Sequence, residues 1–398
     1  MRIAITNDAH FNGGAVALMA WRFTRALIDA GHDATLITGQ TDDALPNDIP
    51  VEPWRYPERK GDSPLALIRF YQKLRGNSGE AFGRWYSKGK ADLWVALVIP
   101  SALGALDGGG RRVPLLYCCN SPWAMEWLAA WRAQNGGAEP QGLSRMLGVY
   151  PRRRAEREVV TRAKGWMALS QLQLDWFSAE HGDTRAIPKT VVPGAVDCSR
   201  HVPLTVEQWA VVRARYGIKE GERLLVCSRR LVPRTGVDLL LDALKLLGSE
   251  VKLVVTGDGP SRETLDVRSR EIGLANRVTF TGFLQPDELR AVTASADLAV
   301  LPTRELEGFG LAAAEAMSCG TPVVSTSVGS LVDVVGGLDR TLLADAVSAE
   351  SLAAAIKRGL SRAGDEHFRA SCREYASKSF DWNVHKAAFV KLCETLSR

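Results

Sequence analysis

Several features are missing from this chain, and each absence narrows what it can be. No apolar stretch approaches the ~20 residues of a membrane-spanning helix, so no membrane span is expected. The seven cysteines include no Cys-x-x-Cys, and the one adjacent pair, Cys118-Cys119, is too close for ordinary disulfide geometry. They are expected to be reduced and mostly buried. The six histidines (His10, His32, His181, His201, His367, His385) fall at no metal-ligand spacing, and Asp-x-Asp occurs nowhere; no metal site is expected. There is no repeat at solenoid period and no Gly/Ser-rich or Pro-rich tract.

What remains is an ordinary globular composition, 46% hydrophobic and 24% charged over 398 residues. That length suits two domains of roughly 150 to 200 residues each. Met1-Arg2-Ile3-Ala4-Ile5-Thr6 reads as a strand instead of a signal peptide, so the expected compartment is the cytoplasm. The formal charge of +5 is modest, and nucleic acid is not an expected partner. The charge is uneven, however: residues 1–195 hold 24 Lys/Arg against 19 Asp/Glu, whereas residues 196–398 hold 26 against 26. Between Trp54 and Lys90, Arg69, Lys73, Arg75, Arg84, Lys88 and Lys90 alternate with Phe70, Tyr71, Phe82, Trp85 and Tyr86. This is either a solvated face with its aromatics in the core or a surface for anionic lipid headgroups or an acidic acceptor.

Apolar runs alternate with helix-length amphipathic stretches, which predicts parallel α/β sheets. In the first half the strands are Arg2–Thr6, Ala34–Thr38, Leu93–Val98, Val113–Cys118, Gly165–Leu169 and Thr190–Pro193, with a long charged helix from about Leu143 to Lys164. The rhythm restarts at Arg223–Cys227, Val251–Thr256, Arg277–Phe280, Leu298–Leu301 and Pro322–Ser325. Residues 1–195 and 196–378 are thus expected to form two doubly wound domains with ligand crevices at the carboxyl ends of their strands. Residues 379–398 read as a final amphipathic helix.

Four loops carry the chemistry. Glu307 and Glu315 flank Gly308-Phe309-Gly310 between a buried strand and the helix opening at Leu311. A backbone turning through Gly-Phe-Gly at a helix start aims unpaired N–H groups at a phosphate, and the helix end favours the anion. Glu307 is placed to accept hydrogen bonds from sugar hydroxyls, and Glu315 to grip a ribose diol; alternatively, both acids merely favour the first turn of a surface helix. Ser228-Arg229-Arg230-Leu231-Val232-Pro233-Arg234-Thr235-Gly236 brings three arginines to a strand end, enough to neutralise a diphosphate without a metal. Asn12-Gly13-Gly14-Ala15 lets the backbone approach a ligand where Gly13 and Gly14 precede a helix. Thr256-Gly257-Asp258-Gly259 follows a strand, but Arg262 occupies the third-glycine position of a dinucleotide fingerprint, so no nicotinamide cofactor is expected.

The run Glu307-Gly308-Phe309-Gly310-Leu311, Glu315-Ala316, Gly320-Thr321-Pro322-Val323-Val324 resembles the signature of the retaining family 4 glycosyltransferases, GT-B enzymes with two Rossmann-like domains facing across a cleft. The resemblance covers nearly the whole chain and is most specific over residues 224–330. It implies that Glu307 holds the donor sugar and Glu315 the ribose, that Gly257 borders the nucleotide, and that Gly282 and Phe283 serve the base. It places Gly13 and Gly14 on the donor phosphate and acceptor side, and it sends the last helix back onto the first domain. Two positions depart from the family pattern. Where the family has Arg, four residues and Lys-Gly, this chain has Arg230 and then Thr235, so Arg234 or Arg229 must supply the second cation. Where the family has histidine, this chain has Asn120, which keeps hydrogen-bonding capacity but is no base near neutral pH; Asp8 and His10 are the nearest alternatives by sequence.

The implied activity is transfer of a hexose-type sugar from a nucleoside diphosphate sugar, with UDP expected and GDP or dTDP as alternatives, by a metal-independent front-face route with no cofactor. The acceptor would be a glycan, a lipid-linked molecule or a small natural product, with peripheral contact at the inner membrane face through residues 54–90. A GT-B epimerase and a non-catalytic sugar-nucleotide binder are the rival readings.

Overall fold

The computed structural model describes the chain except for residues 9–14, 41–47, 59–60, 62–63 and 183–185. Contacts divide it into two compact units: Met1–Leu128 with Pro140–Val192 and His385–Arg398, and Ala129–Glu139 with Pro193–Val384.

The N-terminal unit is built on seven strands, β1 (Arg2–Asn7), β2 (Asp33–Gln40), β3 (Val51–Arg55), β4 (Leu93–Ala96), β5 (Leu115–Cys119), β6 (Gly165–Ala168) and β7 (Lys189–Val191), in the order β3-β2-β1-β4-β5-β6-β7. Every pairing is parallel. Every residue of β4, β5 and β6 is buried, as a parallel sheet covered by helices on both faces requires. The strand order reverses between β1 and β4, which opens a crevice at their carboxyl ends.

The C-terminal unit repeats the plan with β8 (Arg223–Ser228), β9 (Val251–Thr256), β10 (Val278–Gly282), β11 (Leu298–Leu301), β12 (Val323–Thr326) and β13 (Leu343–Ala344), all parallel in the order β10-β9-β8-β11-β12-β13. Its switch point lies between β8 and β11, and the arginine loop and the acidic loop leave the sheet there, side by side.

The last helix, Trp382–Ser397, returns to the N-terminal unit. Phe389 is fully buried and stacks on Phe23 with ring centroids 4.1 Å apart. Lys164 Nζ donates to the Leu396 carbonyl at 2.9 Å, and His32 Nε2 lies 3.2 Å from Glu394 Oε1. All seven cysteines are free and buried. Burial pushes the Cys227, Cys319 and Cys372 thiols up to about 12, far from the thiolate that redox chemistry needs.

Helix Pro64–Ser87 divides the residues of the basic, aromatic segment between core and surface. Phe82 and Trp85 are core residues. Arg75 pairs with Asp107, and Arg84 and Lys88 both pair with Glu52. Arg69 and Lys73 stay exposed on the same helix and have no carboxylate partner among the described residues.

Candidate active site

At the β8/β11 switch point an arginine holds an acid. Arg229 Nη2 donates to Glu307 Oε2 at 2.5 Å and to Thr303 Oγ1 at 3.1 Å, and Thr303 Oγ1 donates to the same carboxylate oxygen at 3.0 Å. Only 9% of the Arg229 side chain and 12% of the Glu307 side chain are exposed, so the pair is shielded from screening and fixed in one orientation.

The acidic loop is tied down from several sides. Thr326 Oγ1 donates to the Thr303 carbonyl at 2.6 Å, Ser330 Oγ donates to the Gly308 carbonyl at 2.6 Å, and Ser330 N donates to the Glu307 carbonyl at 3.1 Å. Arg234 Nη1 donates to the carbonyl of Leu306 at 3.0 Å. Leu306 has φ 56°, the one positive-φ non-glycine residue among those described. A leucine in that region is strained and persists because its surroundings over-determine it. The strained residue directly precedes Glu307.

After Phe309 the chain passes through Gly310 (φ 89°, ψ 49°) into helix Leu311–Ser318, with no side-chain cap on the helix start. A Cβ on Gly310 would meet Leu331 Cδ2 at 2.7 Å, so both the dihedral and the packing demand glycine. Phe309 is buried, edge-on to Phe380 at 5.5 Å, and its ring anchors the turn instead of facing solvent. Leu311 and Glu315 are half-buried, one turn apart on this helix.

The three arginines of the β8 loop occupy different environments. Arg229 is committed to Glu307. Arg230 is exposed and has no side-chain partner among the described residues. Arg234 is half-buried, with its carbonyl accepting from Arg304 N at 2.8 Å. Thr235, at the family's lysine position, is 3% exposed, and its hydroxyl is shared between the Arg230 and Val232 carbonyls at 2.9 and 2.7 Å. It therefore braces the loop and brings no charge.

Farther along the same sheet edge, Gly257 N donates to the Gly282 carbonyl at 2.8 Å and so links the ends of β9 and β10. Phe283, the next residue, is 72% exposed. The order of strands sets the order of groups along this edge: Phe283 beyond β10, Gly257 beyond β9, Arg229 and Arg230 beyond β8, and Glu307 beyond β11.

In the N-terminal unit, Asp8 follows β1 at that sheet's switch point and accepts from Ser101 N at 2.7 Å. Burial pushes its carboxyl up from 3.8 to about 6. Asn120 is held on both sides, Nδ2 donating to the Leu97 carbonyl at 2.8 Å and its own backbone carbonyl accepting from Gln173 Nε2 at 2.7 Å. His10, Gly13 and Gly14 lie outside the described residues. Among the described residues no group of three or more His, Cys, Asp or Glu is placed to hold a metal ion.

Sequence reasoning did not single out Thr303, Gly329 or Ser330. Gly329 has φ 60°, and a Cβ there would lie 2.2 Å from the Glu307 carbonyl oxygen; its signal was a Gly-Ser turn just after β12.

Two doubly wound parallel sheets, the second with its acid–arginine pair at the switch point, are the GT-B architecture. Residues 210–379 match the family model for glycosyl transferases group 1, and residues 14–195 match that for the glycosyl transferase 4-like domain. The chain belongs to the family 4 glycosyltransferases of GT-B fold. It is 34% identical over 245 residues to 2-deoxystreptamine glucosyltransferase of Streptomyces kanamyceticus, covering 60% of this chain and 61% of that protein. It is 28% identical over 404 residues to D-inositol 3-phosphate glycosyltransferase of Xylanimonas cellulosilytica, covering 97% and 91%. To a GDP-mannose-dependent phosphatidylinositol monomannoside mannosyltransferase of Mycobacterium tuberculosis it is 34% identical, over 48% of this chain and 52% of the relative. The matched stretch thus spans about half to three fifths of the first and third of these relatives. In fold it is similar to sucrose-phosphate synthase from Thermosynechococcus elongatus (TM-score 0.79, 21% identity, 99% and 98% covered) and to Anabaena HepE in complex with UDP and glucose (TM-score 0.73, 20% identity, 100% and 99% covered).

Proposed function

We propose that this chain is a retaining, metal-independent hexosyltransferase that uses a nucleoside diphosphate sugar. The observation that carries the reading is the Glu307 carboxylate, fixed by Arg229 and Thr303 beside a helix start that no side chain caps. A carboxylate held this way accepts hydrogen bonds from sugar hydroxyls without reorganising, while the helix start and the arginine loop take the phosphates.

The order of groups along the sheet edge supports a base beside Gly282 and Phe283, a diphosphate past Gly257 at Arg230 and Arg234, and a hexose at Glu307; the family resemblance gives Glu315 the ribose that joins base to diphosphate. Phe309, Gly310 and Leu311 shape the turn that presents the helix start. In the front-face step the anomeric carbon–phosphate oxygen bond breaks and a bond to the acceptor oxygen forms on the same face. The acceptor's proton passes to an oxygen of the departing diphosphate, whose charge Arg230 and Arg234 stabilise. Arg229 acts through Glu307 as a positioning residue. Asn120, Asp8, His10, Gly13 and Gly14 belong to the acceptor-bearing domain in this reading.

UDP is the expected nucleotide. Relatives named as a glucosyltransferase and a GDP-mannose-dependent mannosyltransferase make UDP-glucose and GDP-mannose the first donors to try. The acceptor is a glycan, a lipid-linked molecule or a small molecule. A cytoplasmic enzyme touching the inner membrane face through residues 54–90 fits the exposed Leu65, Ile68, Arg69 and Lys73 on one helix.

Incubation with labelled nucleotide sugars tests the reading. Acceptor-dependent nucleotide release, unchanged by EDTA, supports it. An isomerised donor indicates an epimerase, and tight binding without turnover indicates a binding protein; either outcome refutes the transferase.

A further inference from the structure

A cavity of about 550 Å³ opens in the N-terminal unit between the end of β3 and helix Pro64–Ser87, lined by Arg55, Glu58, Arg69, Phe70, Lys73 and Asn77 together with Pro57 and Ala66. Its size suits a small polar molecule or a headgroup. We propose that it binds a phosphate-bearing group of the acceptor, held by Arg55, Arg69 and Lys73.

Three observations carry this. The first is a contrast along one helix. Arg75, Arg84 and Lys88 each have a carboxylate partner, whereas Arg69 and Lys73, which line the cavity, have none among the described residues, and neither has Arg55. With Glu58 counted, the described residues of the lining carry three cations against one carboxylate. Arg69 and Lys73 stand four apart on the helix, a like-charge pair that is unfavourable in the empty protein, and an anion between them removes the repulsion. The second is position. The cavity lies where the edge strand β3 ends, on the carboxyl side of the sheet and two strands from the β1/β4 switch point at which such sheets bind ligands. A Cβ on Gly39 would lie 2.5 Å from the Asp8 carbonyl oxygen and 2.7 Å from Tyr56 Cδ2, so Tyr56, next to Arg55, stands beside the acid at the β1/β4 switch point; burial, and after it the Asp8 charge, pushes the Tyr56 phenol up to about 12.

The third is an aromatic ladder leading away from the cavity wall. Tyr56 packs edge-on to Phe70 at 5.9 Å, Phe70 to Tyr71 at 5.2 Å, and Tyr71 to Trp123 at 5.2 Å. Trp123 opens the helix three residues after Asn120. These rings are partly buried against the core, and their remaining surface marks the path along which a molecule with its phosphate on the cations would extend toward the helix that follows Asn120. Guanidinium groups suit the phosphate because they offer paired donors in one plane.

The proposal rests on the transferase reading only in naming the phosphate's carrier as the acceptor, and binding is tested without donor. Calorimetry with glycerol phosphate, and co-sedimentation with phosphatidylcholine vesicles with and without phosphatidic acid, are compared for the wild type, Arg69→Ala/Lys73→Ala and the control Arg112→Ala, an exposed cation outside both the cavity and residues 54–90. Loss of two charge-assisted contacts weakens binding by about tenfold or more; the control binds normally, and all three proteins keep their melting temperature. Glycerol phosphate binding lost in the double variant identifies a soluble phosphorylated acceptor. Binding confined to phosphatidic acid vesicles and lost in the same variant identifies a lipid-borne phosphate. Binding by neither route, or binding that survives in the double variant, overturns the proposal. A thermal shift with UDP, GDP or dTDP in the same proteins separates the two readings: a nucleotide shift without phosphate binding sinks the cavity alone, and phosphate binding without any nucleotide shift sinks the transferase.

Discussion

Replacing Arg229 with alanine isolates the contact on which the candidate site depends. The substitution leaves the Glu307 carboxylate nine-tenths buried with Thr303 Oγ1, at 3.0 Å, as its remaining named partner. Breaking a fully buried pair by removing one member costs about 3–5 kcal/mol. The surviving threonine bond and the remaining access to water put this case at the low end, about 3 kcal/mol. For a domain of this size 1 kcal/mol corresponds to roughly 2–4 °C, so the C-terminal transition in calorimetry should fall by about 6–12 °C. Turnover should fall by about a hundredfold, the usual consequence of a group displaced by about 1 Å.

A double-mutant cycle separates pairing from packing. Glu307→Gln removes the charge that Arg229 satisfies, so Arg229→Ala/Glu307→Gln should be less destabilised than the sum of the singles by more than about 1 kcal/mol. Arg229→Lys keeps the charge but loses the planar fork that reaches Glu307 and Thr303 together, and it should lie between wild type and alanine. Additive singles, or an Arg229→Ala protein that melts and turns over like wild type, would refute the claim that this arginine fixes the acid.

Three other outcomes follow from the same geometry. Gly329→Ala puts a methyl 2.2 Å from the Glu307 carbonyl oxygen at φ 60°, so it should destabilise by about 2 kcal/mol and reduce turnover with the nucleotide thermal shift retained; normal turnover would show that the loop tolerates displacement. The Asp8 carboxyl, raised to about 6 from 3.8, makes the folded protein bind more protons than the unfolded chain between those values. Stability should therefore fall as pH rises from about 4 to 6, by an amount on the order of 2 kcal/mol, and Asp8→Asn should remove that slope in melting curves at the two pH values. Phe389→Ala empties the stack against Phe23 and should cost about 3–5 kcal/mol, read as a lower urea midpoint for the N-terminal unit; an unchanged midpoint would mean that the last helix adds no stability to that unit.

The parallel core was legible because its strands are covered on both faces. Leu93–Ala96, Leu115–Cys119 and Leu298–Leu301 are buried at every residue, so each reads as an uninterrupted apolar run bounded by polar turns. The strands that escaped notice are edge strands, where that signal fades. β3 carries Glu52 and Pro53 and pairs on one side only; proline is admitted there because an edge strand has donors to spare. β13 is two residues long, too short for any pattern. The two arginine-bearing faces of helix Pro64–Ser87 were indistinguishable by composition, because the paired cations find carboxylates at sequence separations of 32 to 36 residues.

The candidate site was legible where it is local and obscure where it is assembled. Glu307, Gly310 and Glu315 sit on one strand–loop–helix unit, and their spacing determines their relation. Which of Arg229 and Arg230 turns toward that unit depends on a neighbouring strand. Arg229 N donates to the Thr256 carbonyl and Leu231 N to the Asp258 carbonyl, so the chain runs on extended past β8, and alternate side chains fall on opposite sides. Leu231 is fully buried, so Arg229 is on the inward side with it and Arg230 is left outside. Family spacing favoured Arg230 because it counts along the chain to the lysine position; the alternation around a buried leucine was present in the same three letters. In the proposed function the two arginines therefore divide the work: one, out of solvent, holds an acid in place, and the other, exposed, keeps its charge available to a phosphate. A lone arginine at this strand end could not do both, because the guanidinium that neutralises Glu307 has already given up the field that a diphosphate would need.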